Sequence, residues 1–134
     1  MIVFGAAVVL LLAACGGPMR SEELARSVDT LSSTAAEGEL LARDVARDRT
    51  KATFARVHAR ELADVADHEA EKLSDATPSE GIGGEQARAV ELADQISQAL
   101  GRIRVSPSDE REGEVAAREL GNLADRAAQL SESL

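Results

Sequence analysis

The chain of 134 residues carries 24 acidic and 15 basic side chains, and its net charge of −9 disfavours nucleic acid as a partner because phosphate backbones are repelled. It has two phenylalanines and neither tryptophan nor tyrosine, so it lacks the aromatic platforms on which sugars, bases and cationic ligands stack. A chain of this length suits one compact domain rather than two.

The amino-terminal segment Met1–Ala14 has no charged side chain and is apolar on every side. A helix that crosses a bilayer needs about 20 residues, whereas a shorter apolar run that ends in small residues is typical of a signal peptide. The sequence therefore predicts a signal helix over residues 1–14. Signal peptides normally begin with a basic residue and this one does not, so we expect either that translation starts upstream of Met1 or that the amino terminus alone supplies the charge.

The only cysteine of the chain follows this segment directly. The sequence Leu12-Ala13-Ala14-Cys15 resembles the lipobox of bacterial lipoproteins, a resemblance that covers little more than this motif and its apolar lead. It implies cleavage between Ala14 and Cys15, diacylglycerol attached to the Cys15 sulfur, and membrane contact through that lipid. The location it implies is the extracytoplasmic side of the cell membrane, or the outer membrane if the cell is diderm.

Residues 15–20 are predicted to form a lipidated tether that spans less than about 20 Å. A first helix is predicted over residues 21–47, with the Ser21 hydroxyl as its N-cap. The apolar positions of this helix recur at helical spacing and predict its buried face. They are Leu24, Val28, Leu31, Ala35, Leu41 and Val45.

A second helix is predicted over residues 52–75, after a polar break at 48–52 in which Thr50 is the candidate N-cap. Its large apolar side chains lie in a different phase from those of the first helix and predict the face that packs in the core. They are Phe54, Val57, Leu62, Val65 and Leu73. The alternative is one helix over residues 21–75, about 80 Å long, for which the chain offers no partner of equal length.

Pro78 and the glycines at 81, 83 and 84 predict a loop before a third helix over residues 85–104. Ser106 as N-cap and Pro107 at the first helical position predict a fourth helix over residues 107–132. The predicted core face of the third helix consists of Ala89, Leu92, Ala93, Ile96, Leu100 and Ile103. That of the fourth helix consists of Ala116, Leu120, Leu123, Ala127, Leu130 and Leu134.

These elements predict an all-α fold, an antiparallel four-helix bundle that forms a single domain over residues 21–134. Helices of matched length joined by short loops favour that architecture. Many of the predicted core positions are alanine, which buries less apolar area than leucine. We therefore expect a thin core and modest stability.

His58, Glu61 and His68 are the candidate metal ligands. Four-helix metal proteins of the ferritin-like kind use a repeated Glu-x-x-His pattern, whereas His58-x-x-Glu61 has the reverse order and occurs once. By helix rise, His58 and His68 are about 15 Å apart, too far to share one ion. Ion-paired histidines on a helix surface are the interpretation that this spacing favours, and no metal site is predicted.

No serine lies in a Gly-x-Ser-x-Gly or Ser-x-x-Lys pattern, and a lipidated Cys15 is no nucleophile. We therefore expect a protein that is not an enzyme and needs no cofactor. The leading hypothesis is a lipid-anchored interaction or structural module that binds another envelope protein. The alternatives are a metal-binding, ferritin-like accessory domain and a carrier of a lipid-like ligand in a cavity between the helices.

Overall fold

The computed structural model describes residues 17–134, so the predicted signal helix, Ala14 and Cys15 lie outside the described residues. The described part of the chain is all-helical and contains no β-strand. Its elements are α1 (Ser21–Ala46), α2 (Ala52–Asp75), α3 (Gly83–Val105) and α4 (Glu110–Glu132). The predicted break between the first two helices is confirmed, and the alternative of one helix over residues 21–75 is wrong.

The helices pack as an up-and-down bundle in which neighbouring helices run antiparallel. Both α1 and α3 contact α2 and α4, and α1 also touches α3 across the bundle. Polar contacts between helices fix these directions, because residues near the start of one helix meet residues near the end of the next. The pairs are Ser27–Lys72, Glu37–His58, Asp29–Ser131, Ser32–Ala124, Gln95–Arg126 and Arg102–Glu112.

The first two helices begin close to their predicted residues, but with different caps. The predicted caps Ser21 and Thr50 are wrong, since Arg20 is the N-cap of α1 and Lys51 that of α2. Lys51 makes no side-chain capping hydrogen bond. The start of α2 therefore depends on its packing in the bundle more than on a local signal.

The fourth helix begins at Glu110 and not at the predicted Pro107. Ser106 is instead the C-cap of α3, and its N–H donates to the Arg102 carbonyl at 2.9 Å. Asp109 caps α4 by accepting from the Glu112 N–H at 3.1 Å. A carboxylate at this position both satisfies a free N–H and complements the positive end of the helix dipole, which a hydroxyl does only in part.

The predicted core faces of three helices are confirmed. Every predicted position of α1 and α3 is buried, and so is every one of α4 except Leu134, which is partly buried. Within residues 17–134, twelve of the 27 buried apolar residues are alanine and none is aromatic. The core is therefore thin, as expected from its small side chains.

The apolar face predicted for the second helix is wrong. Phe54, Val57 and Val65 are exposed by 59%, 51% and 40%, and only Leu62 and Leu73 of the predicted set are buried. The rest of the buried face of α2 consists mainly of alanines, which bring its backbone close to the neighbouring helices. They are Ala55, Ala59, Ala63, Ala66 and Ala70.

A glycine brings α4 unusually close to α1. A Cβ atom at Gly113 would lie 2.6 Å from the Ala46 nitrogen and 2.9 Å from the Ala42 oxygen, both backbone atoms. Two turns later, a Cβ atom at Gly121 would meet only the flexible carboxylate of Glu39, at 3.1 Å. The close contact of α1 and α4 near Gly113 therefore requires a residue without a side chain.

A buried glutamine closes the carboxyl end of α2. Gln86 of α3 is 7% exposed, and its Nε2 donates to the carbonyls of Leu73 and Ala76 at 2.7 and 2.8 Å. The last carbonyls of a helix have no partner within the helix, so this side chain takes the place of a local cap. The Gln86 Oε1 atom is buried without a hydrogen-bond partner among the described residues.

Candidate functional site

The chain enters the bundle at Met19, which is 5% exposed and belongs to the core. The Met19 N–H donates to the Thr77 carbonyl at 2.7 Å. The Met19 carbonyl accepts from the N–H and the hydroxyl of Ser79 at 3.0 and 2.6 Å. Met19 falls within the predicted tether, so the part of that tether outside the bundle ends at Pro18. The entry point lies beside the carboxyl end of α2.

The exposed face of α2 carries a row of side chains that we name the α2 stripe: Phe54, Val57, Glu61, Val65 and His68. All five are exposed. Steps of three and four residues place them along one side of a helix. Counted from Glu61 toward either end of the stripe, the next member is four residues away and the last is three residues further. The spacing of the stripe is therefore symmetric about Glu61. Sequence reasoning assigned its three apolar members to the core and missed this surface.

His58 lies beside the stripe between two carboxylates. Its Nε2 is 2.9 Å from Glu37 Oε1 of α1, and its Nδ1 is 3.7 Å from Glu61 Oε2. The imidazole also stacks on Phe54, with ring centroids 5.5 Å apart and planes 17° apart. His58 thus lies between Glu37 of α1 and two members of the stripe, Phe54 and Glu61.

The candidate metal ligands do not come together in the structure. His58 and Glu61 are neighbours, but Glu37 and Glu61 approach opposite nitrogens of the imidazole, so they cannot join one nitrogen around a single ion. His68 lies almost three turns further along α2. Among residues 17–134, no three or more His, Cys, Asp and Glu side chains are grouped as metal ligands would be.

The charges on α2 are arranged against the dipole of the helix. Residues 51–60 hold Lys51, Arg56 and Arg60 and no acidic residue, whereas residues 61–75 hold six acidic residues and one basic residue. The first turns of α1, α3 and α4 all contain acidic residues, and that of α2 contains none. Acidic groups favour the amino end of a helix and basic groups the carboxyl end. The charge pattern of α2 is therefore the reverse of the one that its helix dipole favours.

The surface depressions of the described residues differ in lining, and one of about 400 Å³ beside the carboxyl end of α2 is bordered mainly by Leu73, Pro78, Ala87 and Val90. Another, of about 500 Å³, lies between α1 and α4, where Glu39, Arg43, Arg118 and Asp125 surround Gly121 and its neighbours. An acyl chain prefers an apolar lining. The charged groove between α1 and α4 therefore gives no support to the alternative of a lipid-like ligand.

None of the helices in residues 17–134 combines the length and the apolar character that a membrane span needs. Comparison of the chain with protein-family models, with curated proteins and with solved structures gives no match.

Proposed function

We propose that the protein is a lipid-anchored interaction module on the extracytoplasmic side of a bacterial cell membrane, or of the outer membrane in a diderm cell, and that it is not an enzyme. The observation that carries the proposal is the position of the only cysteine, directly after Leu12-Ala13-Ala14 and four residues before Met19. Four residues span at most about 14 Å. A lipid on Cys15 therefore keeps the entry end of the bundle next to the membrane.

The distribution of charge makes the lipid necessary for attachment. The half of the bundle that holds Met19 comprises residues 17–33, 64–94 and 121–134, with 14 acidic and 5 basic side chains. The other half has 10 of each. An anionic leaflet repels the acidic half, whereas the two acyl chains of a diacylglycerol group give stable anchoring.

The interaction role rests on apolar side chains that the bundle leaves in contact with water. Leu40 and Val105 are 62% and 77% exposed, in addition to the apolar members of the α2 stripe. Single exposed apolar residues are normal on a protein surface, but a row of them on one helix marks a contact surface. The α2 stripe is such a row.

The lipid is tested by metabolic labelling with a fatty-acid analogue. Cys15→Ser is expected to abolish labelling and to leave the precursor uncleaved. The matched control, Cys15→Ser combined with Gly17→Cys, retains one cysteine but moves it away from the lipobox, and it is expected to stay unlabelled. Labelling of either variant contradicts the lipobox assignment.

The role of the anchor is tested by releasing the bundle from the membrane. A form in which an ordinary cleavable signal peptide replaces residues 1–15 is expected to fold normally and yet fail to complement a deletion strain. The physical reason is that the released bundle is no longer held at the membrane surface, where its partners lie. Full complementation by the released form contradicts a function at the membrane.

A further inference from the structure

We infer that the α2 stripe is a self-association surface, on which two copies of this chain pair through their α2 helices, antiparallel and about a two-fold axis at Glu61. The inference names the partner in the interaction role proposed above and rests on that role, but it does not depend on the lipid. A two-fold contact requires a surface that is complementary to itself. Both the spacing and the charge of α2 meet this requirement.

The spacing of the stripe matches that of an antiparallel partner. Because the stripe reads the same in both directions from Glu61, a two-fold axis there sets Val57 opposite Val65 of the second copy. The same axis sets Phe54 opposite His68 of the second copy. Side chains at steps of three and four form the seam along which antiparallel helices pack. Pairing thus covers the three apolar side chains that the isolated bundle leaves exposed.

The charges beside the stripe are complementary in the same register. Arg56, Arg60, Asp64 and Asp67 are all exposed, and helix geometry places them on the same side of the stripe, with Asp64 and Arg60 nearest to it and Asp67 and Arg56 further around the helix. Antiparallel two-fold pairing brings this same edge of both helices together, so the basic half of each meets the acidic half of the other. A parallel two-fold pair would instead bring opposite edges of the two helices together, with the basic half of one helix level with the basic half of the other. The reversed charge pattern of α2, which works against its own dipole, gains a stabilising role in this arrangement.

Two features make the pair weak and reversible. Glu61 meets Glu61 of the second copy at the axis, although each carboxylate lies near His58 of its own helix. A helix of 24 residues is about 36 Å long and about 10 Å wide, so the pair buries roughly 800 Å² in total, below the about 1,200 Å² at which stable specific interfaces begin and in the range of weak, transient contacts. Attachment of both copies to one membrane raises their effective concentration and favours pairing.

Disulfide cross-linking of the full chain in membranes tests the register. Glu61→Cys places a thiol at the axis and is expected to give a covalent dimer upon oxidation. The matched control is Lys51→Cys, at the exposed N-cap of the same helix. Its two thiols lie about 30 Å apart in the antiparallel pair, so it is expected to cross-link at least several-fold less. Equal yields, or a higher yield from Lys51→Cys, overturn the antiparallel arrangement.

Charge reversal tests the complementarity. Copies with Arg56→Glu and Arg60→Glu carry four acidic residues at this edge of the stripe, and copies with Asp64→Arg and Asp67→Arg carry four basic residues there. In the Glu61→Cys background, each variant alone is expected to lose most of the cross-link, because like charges then face each other. Co-expression of the two is expected to restore it as a mixed dimer, distinguished by a size tag on one copy. A cross-link that survives in each variant alone, or that the mixture fails to restore, overturns the inference.

The same samples separate this inference from the proposed function. Fatty-acid labelling reports the anchor and the cross-link reports the pair. Labelled protein without a cross-link at Glu61→Cys rejects self-association and leaves the anchored module in place. In unlabelled protein Cys15 keeps a thiol that can itself form a disulfide, so the cross-link is measured again in the Cys15→Ser background: a cross-link that persists there supports the pair and rejects the lipid, and one that disappears rejects the pair. The helical circular dichroism of each charge variant must match that of the unmodified chain, so that loss of the cross-link reports pairing and not unfolding.

Discussion

Substitution of Gly113 by alanine tests the close contact of α1 and α4. The added Cβ atom would lie 2.6 Å from the Ala46 nitrogen and 2.9 Å from the Ala42 oxygen, whereas non-bonded contacts are favourable at about 3.5 to 4.0 Å. Both neighbours are backbone atoms, so no side chain can rotate away and the two helices must separate by about 1 Å. Overpacking of this kind costs about 1 to 3 kcal/mol, and a backbone clash belongs at the upper end of that range.

The helix propensity of alanine opposes this penalty. Alanine is favoured over glycine by about 1 kcal/mol in a helix interior. The net effect of Gly113→Ala is therefore a destabilisation of about 1 to 2 kcal/mol. For a domain of this size that lowers the melting temperature by roughly 4 to 8 °C. Thermal unfolding followed by the helical circular dichroism signal measures it.

Gly101 supplies the matched control for this substitution. It also lies inside a helix, α3, but a Cβ atom there has no neighbour within 4 Å. Gly101→Ala is expected to gain only the propensity term, about 0.5 to 1 kcal/mol, and to raise the melting temperature by roughly 2 to 4 °C. The two substitutions thus have opposite signs. A rise in melting temperature for Gly113→Ala refutes the close approach of α1 and α4.

Two further substitution tests concern the core and the helix ends. Leu123 is 4% exposed, so Leu123→Asp is expected to lower the free energy of unfolding by at least about 3 kcal/mol. Phe54 lies on the exposed stripe, and Phe54→Asp is expected to change the free energy of unfolding by less than about 0.5 kcal/mol. Denaturant titration measures both. The reverse order contradicts the burial assigned to α2. Gln86→Met keeps the side-chain volume but leaves the carbonyls of Leu73 and Ala76 without their hydrogen-bond donor. Thermal unfolding is therefore expected to show a free energy of unfolding that is lower by about 1 to 3 kcal/mol. An unchanged melting temperature would show that water satisfies these carbonyls.

The sequence predicted the architecture because three of the four helices bury their large aliphatic side chains. In α1, α3 and α4, leucine, isoleucine and valine lie on one face at helical spacing, so the largest side chains mark the core. In α2 the same rule fails. Its alanines also recur at helical spacing, and the pattern alone does not say which of two apolar faces is buried. The structure shows that the alanine face of α2 is the buried one. Its small side chains let the backbone of α2 approach the neighbouring helices closely.

Long-range contacts were beyond prediction for a different reason. Gln86 caps a helix that ends eleven residues earlier in the chain, and Gly113 matters only because α1 lies beside it. Neither residue has a local signal that distinguishes it from other glutamines and glycines. The reversed charges of α2 were visible in the sequence, by contrast. Their relation to a surface could be seen only in the structure. There Arg56, Arg60, Asp64 and Asp67 are exposed on one side of the α2 stripe.

The short tether and the antiparallel pair constrain each other. In each copy the chain enters the bundle beside the carboxyl end of α2, because the backbone of Met19 is hydrogen-bonded to Thr77 and Ser79. Antiparallel pairing places the two entry points at opposite ends of helices about 36 Å long, whereas each tether reaches at most about 14 Å from Met19 to Cys15. Under the proposed anchoring and pairing, both Cys15 residues therefore reach one membrane only when the paired helices lie along its surface.

This orientation is open to a test that changes only the tether. Insertion of a flexible glycine–serine segment between Gly17 and Pro18 frees the bundles from the surface without altering α2. If the pair lies flat, both tethers already reach the membrane, and the cross-link at Glu61→Cys is expected to stay within about twofold of its original yield, because both copies remain anchored in the same membrane and α2 is unchanged. A large increase would show instead that the short tethers hold single bundles upright and oppose pairing within one membrane.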